Sequence, residues 1–419
     1  MLNLLRKAYR LILQRRPYYL FFGKNKEANY TRINDKFWLP NFKSWPAGRV
    51  STFKNAVYFD NSDKESVYQV TKWFESGFFS KERVLVIFLQ YTKTRNFTFK
   101  VLERCNINFV AITNFNEIDF SQFSIIFYPF NTITNPYLMF ARKATHVFIA
   151  HGESDKLASV NPMIRMYDYV LVAGNIAKQR LKNYGIFHPA ELEHRVKAVG
   201  VIGVCKGEGR VKKSGCFYAP TWEGADARQR YSSLESSAIC QYFPSISTIF
   251  SSVTIRPHPS TGVRDRRYFK FLLNTLDAAE KHFESVSIQL PETSRLRTML
   301  ERRTLQSRVK LKFCDTLSVD GYELVVSDVS SVISECIALK VPNLCFVKDE
   351  THKLLPTLSA SYVQGTYEAI DVGLLKSYMD KYPEKILELR KELYSCDAPF
   401  SDNDSPKEKF DSLVGLISR

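Results

Sequence analysis

Four short stretches hold the side chains best suited to moving protons or binding phosphate: HGESDK (151–156), YAPTWEG (218–224), RPHPSTG (256–262) and SDVSSVISE (327–335). His151 follows the apolar run HVFIA and is followed at once by polar residues, which places an imidazole where a strand runs out into a loop. The unperturbed pKa of imidazole lies near neutrality, so this position suits acid–base work. A lone histidine at a strand end is nevertheless more often structural. In RPHP, Pro257 and Pro259 bracket His258 and restrict the backbone around it, holding the ring beside Arg256. An arginine and a histidine projecting together suit a phosphate, the guanidinium through paired hydrogen bonds and the imidazole as a donor when protonated. In the fourth stretch Ser327 and Asp328 close a strand-like run, and Ser330 and Ser331 open a helix-like one. Hydroxyls and free amides at a helix N-terminus form an anion site. Capping accounts for one of these serines but not for the whole string. Glu335 lies one turn further on, Pro342 follows seven residues after it, and Asp328 reads as a loop organiser rather than a base.

The elements that must position these stretches are legible as an alternation. The runs AVYFD (56–60), RVLVIFLQ (83–90), INFVAIT (107–113), FSIIFYPF (123–130), HVFIAHG (146–152) and YDYVLVAG (167–174) read as buried strands, rich in β-branched and aromatic residues. Helix-compatible segments such as 62–80 and 175–185 lie between them. A second series starts after VKAVGVIGV (196–204) and comprises CFYAPTW, SSVTIRPHP, RVKLKFC, YELVVSD and NLCFV. The Gly- and Lys-rich stretch 205–215 between the two series reads as a linker. Strands alternating with helices predict an α/β chain with mostly parallel sheets, in which ligands bind outside the carboxyl ends of the strands. The expected domains are a basic leader over 1–50, an N-terminal Rossmann-like domain over 51–204, a C-terminal one over 205–373, and C-terminal helices over 374–419 that cross back to the first half. Thr221 and Trp222 either line the cleft between two such domains or belong to a core.

Composition narrows the class. A chain of 419 residues exceeds one comfortable core, and no window of about 18 apolar residues suggests a spanning helix. The N-terminal apolar residues are interrupted by Arg6, Lys7 and Arg10, which argues against a secretory signal. The eight cysteines show no C-x-x-C pair and no histidine at zinc spacing, so a reduced cytoplasmic protein without a bound metal is expected. The net charge of +16 is uneven: residues 1–50 hold eleven Lys or Arg against Glu27 and Asp35. On a helical wheel Leu2, Leu4, Leu5, Ala8, Tyr9, Leu11, Ile12 and Leu13 share one arc, and Arg6, Lys7, Arg10 and Gln14 the other. With Tyr18, Tyr19, Phe21 and Phe22 behind it, residues 1–22 suit either a membrane interface or packing on the protein body. No helix-turn-helix, RNP or zinc module accompanies the charge, so nucleic acid is not an expected partner.

The four stretches occur in the order and at spacings that resemble the CDP-glycerol glycerophosphotransferase family, the TagF/TagB-like enzymes of teichoic acid and capsule polymer synthesis. The likeness covers roughly residues 145–350. It implies a GT-B fold, two Rossmann-like domains facing a cleft, and a transferase that moves a polyol phosphate or sugar phosphate to a hydroxyl of a growing polymer. His151 would be the base and His258 would assist at the phosphate. Arg256, Thr221, Asp328, Ser330, Ser331 and Glu335 would serve the donor. Asp155 and Lys156 would orient His151 or contact the acceptor, a solvated charge pair being the alternative. No tightly bound cofactor is implied; the donor is CDP-glycerol, CDP-ribitol or a UDP-sugar. The acceptor would be an anionic or lipid-linked glycan at the cytoplasmic face of the bacterial inner membrane. The chain departs from the family at Val329, where an aromatic residue is common, and at Glu335, where Asp is. The Glu335-to-Pro342 spacing is similar instead to that of nucleotide-sugar glycosyltransferases, which leaves an inverting glycosyltransferase releasing a nucleoside diphosphate as the alternative.

Overall fold

The computed structural model describes residues 50–417, apart from 63, 65, 92, 150–152, 201, 203–214, 225–229, 292–293, 295, 306, 315–317, 347–362, 366–371, 398–399 and 401–403. His151, the basic leader and the linker stretch 205–214 therefore lie outside the described residues. The chain divides into two compact units. The first runs to residue 151 and includes 166–171 and the chain from 400; the second holds 152–165 and 172–399.

In chain order the elements are β1 (Asn55–Asp60), α1 (Ser66–Glu75), β2 (Val84–Leu89), α2 (Arg95–Arg104), β3 (Phe109–Ile112), β4 (Ile125–Tyr128), β5 (Thr145–Phe148) and β6 (Tyr169–Val172). They continue with α3 (Asn175–Asn183), α4 (Pro189–Arg195), β7 (Val196–Ala198), β8 (Cys216–Ala219), α5 (Phe243–Ser247), β9 (Ser252–Ile255), α6 (Arg267–His282) and β10 (Ser285–Leu290). Then come α7 (Arg297–Thr304), β11 (Lys310–Phe313), β12 (Leu324–Asp328), α8 (Ser331–Leu339), β13 (Asn343–Phe346), β14 (Val363–Gly365), α9 (Val372–Leu393) and α10 (Pro406–Ile417).

Two parallel sheets result, ordered β3-β2-β1-β4-β5-β6-β7 and β11-β10-β9-β8-β12-β13-β14. The registers are regular, β1 running beside β2 from Asn55 opposite Val84 to Asp60 opposite Leu89, and β12 beside β8 from Leu324 opposite Cys216 to Ser327 opposite Ala219. Helices cover both faces of such a sheet, so its strands are buried on both sides and read as unbroken apolar runs; every residue of β1, β2, β4, β8, β12 and β13 is buried. The architecture is the α/β one expected, with two Rossmann-like parallel sheets. Each sheet reverses its winding once, between β1 and β4 in the first and between β8 and β12 in the second. A crevice opens outside the carboxyl ends of strands at such a reversal.

Two boundaries differ from the expected ones. The segment 153–165 and the helices α3 and α4 group with the second unit, because Ile176 of α3 packs with Val329, Ile333 and Ile337 of that unit's core. Of the C-terminal helices, α9 belongs to the second unit and α10 to the first, where Phe410 and Leu413 are buried and Arg83 pairs with Asp411. Among the described residues no helix is long and apolar enough to cross a membrane.

Candidate active site

The second sheet brings three of the four sequence stretches to the carboxyl ends of β8, β9 and β12, with the winding reversal between β8 and β12 at its centre. Beyond the end of β8, the amide of Thr221 donates to Asp328 Oδ2 at 2.8 Å, and its carbonyl accepts from Ser232 Oγ at 2.7 Å. Asp328, the last residue of β12, is fully buried. It ties the two strand ends together. Lys156 reaches the same point, its Nζ donating to Thr221 Oγ1 at 2.6 Å. Burial pushes the Asp328 carboxyl up to about 7 against the opposing pull of Ser233, the Thr221 amide and Lys156. Burial likewise brings the Lys156 ammonium down to about 8, opposed by the charge of Asp328. Both shifts disfavour the charged form, the signature of desolvation.

After β9 the RPHP turn carries His258. The Ser260 amide donates to His258 Nδ1 at 3.0 Å, which assigns the proton of the neutral ring to Nε2. With Nδ1 accepting, the N–H donor of the ring is at Nε2. Trp222 stacks on the imidazole with centroids 6.1 Å apart and planes 23° apart, and the Arg264 guanidinium lies 5.8 Å from the Trp222 ring. Trp222 is half-buried and spaces His258 from Arg264.

Glu223, which sequence reasoning passed over, fixes this loop. It is 3 % exposed. Its Oε2 accepts from Gly262 N at 3.0 Å, and its Oε1 from Arg264 N and Asp265 N at 2.8 and 3.2 Å. One buried carboxylate thereby binds the end of β8 to the turn that leads into α6. Gly262 sits at φ +74°, and a Cβ there would meet the Phe269 ring at 2.4 Å. Its place beside RPHP in the fold was the missing signal, and that is not visible along the chain.

At the third strand end Ser330 caps α8, its Oγ accepting from Val332 N at 3.3 Å, and Ser331 is the first helical residue. Both serines and Glu335 are half-buried, so the hydroxyls stand at the helix N-terminus as the spacing predicts. Pro342 closes the expected spacing by accepting at its carbonyl from Val325 N at 2.8 Å, just ahead of β13.

Arg256 and Asp155 each have a partner distant in sequence. Arg256 is 7 % exposed, and its NH1 donates to the Cys314 carbonyl at 2.9 Å, just beyond the end of β11. Asp155 accepts from Arg180 Nε at 2.9 Å with its side chain 3 % exposed, a buried ion pair in place of a solvated one or an acceptor contact. Among the described residues no group of three or more His, Cys, Asp or Glu could hold a metal ion.

No protein-family model matches the sequence, and no curated protein matches it. The chain is similar to several solved structures. One is a glycosyltransferase from Rickettsia africae, at 11% identity over 88% of this chain and 98% of that one, with a TM-score of 0.44. HepE of Anabaena in complex with UDP and glucose has 12% identity over 87% and 99%, with a TM-score of 0.47. The wall teichoic acid polymerase TagF has 15% identity over 100% and 98%, also with a TM-score of 0.47. The architecture described above stands on strand order and register, not on these likenesses.

Proposed function

We propose that the protein is a transferase that moves a polyol phosphate or sugar phosphate from a nucleotide-activated donor to a hydroxyl of a growing capsular or teichoic-type polymer. The observation that carries this reading is the gathering of Thr221, Lys156, His258, Ser330 and Ser331 at the carboxyl ends of β8, β9 and β12, around the winding reversal of one parallel sheet. Hydroxyls, the N-terminal end of a helix, an N–H donor and an ammonium make a site suited to a pyrophosphate, because each donates to its oxygens or favours its charge.

In this mechanism an acceptor hydroxyl attacks the donor phosphorus distal to the nucleoside. The new O–P bond forms as the bond to the departing nucleoside monophosphate breaks, and the hydroxyl proton passes to His151. Negative charge grows on the transferred phosphoryl oxygens and on the leaving phosphate. His258 Nε2–H, the Ser330 and Ser331 groups and Lys156 stabilise that charge, and removing one such donor typically costs about 3 kcal/mol at the transition state. The acceptor is an anionic or lipid-linked glycan, and the site of work the cytoplasmic face of the bacterial inner membrane, reached through residues 1–22.

A second reading is an inverting glycosyltransferase that releases a nucleoside diphosphate. It is favoured by Glu335, half-buried on the first turns of α8 and seven residues before Pro342. Incubation of the purified protein with a panel of CDP-polyols and nucleotide sugars, plus a short phosphodiester-linked oligosaccharide, separates the two. Acceptor-dependent release of a nucleoside monophosphate supports phosphoryl-linked transfer. Release of a diphosphate supports the second reading, and no acceptor-dependent release with any donor overturns both.

A further inference from the structure

Arg180, on α3, is 3 % exposed and faces two carboxylates from one tetrapeptide. Its NH1 donates to Glu153 Oε2 at 2.8 Å and its Nε to Asp155 Oδ1 at 2.9 Å. The same tetrapeptide is held from two further directions. Glu153 Oε1 accepts from Ala173 N, just beyond β6, at 3.0 Å, and the Glu153 carbonyl accepts from Ser334 Oγ of α8 at 2.9 Å. At its far end stands Lys156, bonded to Thr221.

We propose that Arg180 is a positioning residue of the candidate site, clamping residues 153–156 so that Lys156 meets Thr221 at the end of β8. The planar guanidinium presents donors in a fixed fork and so fixes two carboxylates at once; a lysine ammonium in its place reaches one of them. With one carboxylate released the tetrapeptide pivots, and the Lys156 ammonium leaves its buried seat. The clamp touches none of the groups at the strand ends directly and acts only through the tetrapeptide. Its effect on turnover rests on the proposed function; its effect on Lys156 does not.

The test follows the acylation of Lys156 by acetic anhydride against pH, read by peptide mass spectrometry on the full chain. In the wild type, labelling is half-maximal near pH 8, as set by burial against Asp328. In Arg180→Lys the midpoint moves toward the ordinary 10.5, and the limiting rate at high pH rises about tenfold as the segment opens. Ser334→Ala removes only the support at the Glu153 carbonyl and moves both quantities in the same direction by less, which keeps the test open if Arg180→Lys does not fold. In the transfer assay Arg180→Lys lowers kcat by about tenfold to a hundredfold with the donor KM within about twofold. Altered Lys156 labelling in a protein with no transferase activity supports the clamp and removes the proposed function. Unchanged midpoint and limiting rate in both folded variants overturn the clamp and leave Arg180 a stability residue.

Discussion

Glu223→Gln is the sharpest test of how the loop carrying His258 is held. The carboxylate accepts three amides, two at Oε1 and one at Oε2, with 3 % of the residue exposed. In the glutamine variant the amide oxygen takes the place of Oε1 and keeps the Arg264 and Asp265 amides. The NH2 group then faces the Gly262 N–H, donor against donor. A buried N–H left without an acceptor costs about 1–3 kcal/mol. Losing the charge that strengthened the other two bonds costs about 1 kcal/mol more. The sum, about 2–4 kcal/mol, lowers the melting temperature of a domain of this size by roughly 5–15 °C. Thermal unfolding followed by circular dichroism, with and without 1 M-scale urea to resolve the two units, reads the shift directly. Glu223→Asp, which keeps the charge but shortens the reach, falls between the two. A glutamine variant whose transitions all stay within about 1 °C of wild type would refute the claim that Glu223 secures this loop.

His258→Ala lowers kcat by about a hundredfold, the usual worth of one transition-state donor, whereas His258→Gln, which keeps an N–H donor, retains more activity; equal loss in both argues against the Nε2–H role. His146 is buried with its pKa pushed below 6.5 by desolvation, against the pull of Asp168. Its contribution to stability is therefore present above pH 6.5 and is lost as the pH falls below it, when the unfolded chain takes up the proton first. The fall in melting temperature between pH 7 and pH 5 should be shallower in His146→Gln, and an identical slope removes His146 as its source. The double variant Lys156→Met with Asp328→Asn melts at or above the wild-type temperature while transfer activity is lost; a cooperative loss of stability instead would make the pair a structural necessity.

Most of the scaffold was legible because buried parallel strands are continuous apolar runs: VLVIFL, FVAI, IIFY and LVVSD became β2, β3, β4 and β12 at nearly the expected places. The strand β10 was not, since SVSIQL alternates polar and apolar residues and shows no run. The strand-end motifs and the cap at Ser330 were readable as local chemistry. Partners supplied from a distance were not. Glu223 meets amides some 40 positions on, and Arg180 meets carboxylates 25 and 27 positions back; no periodicity encodes such pairings. The carbonyl that accepts from Arg256 was hidden for the same reason, since it belongs to Cys314, 58 residues away.

The junction of Lys156 with Asp328 then has to be weighed against stability. The Asp328 carboxyl stands above its ordinary 3.8, so what it contributes to folding is present below pH 3.8 and is lost as the pH rises through about 7. The Lys156 ammonium stands below its ordinary 10.5, so its contribution is present above that value and is lost as the pH falls to about 8. Between pH 7 and 8 both groups therefore sit where burial costs the fold, and neutral side chains of similar volume would serve packing better. A strand end chosen for stability alone would not keep such a pair. Under the proposed function, a strand end that offers the Lys156 ammonium to a donor phosphate would keep it, since a nearby negative charge favours the charged lysine.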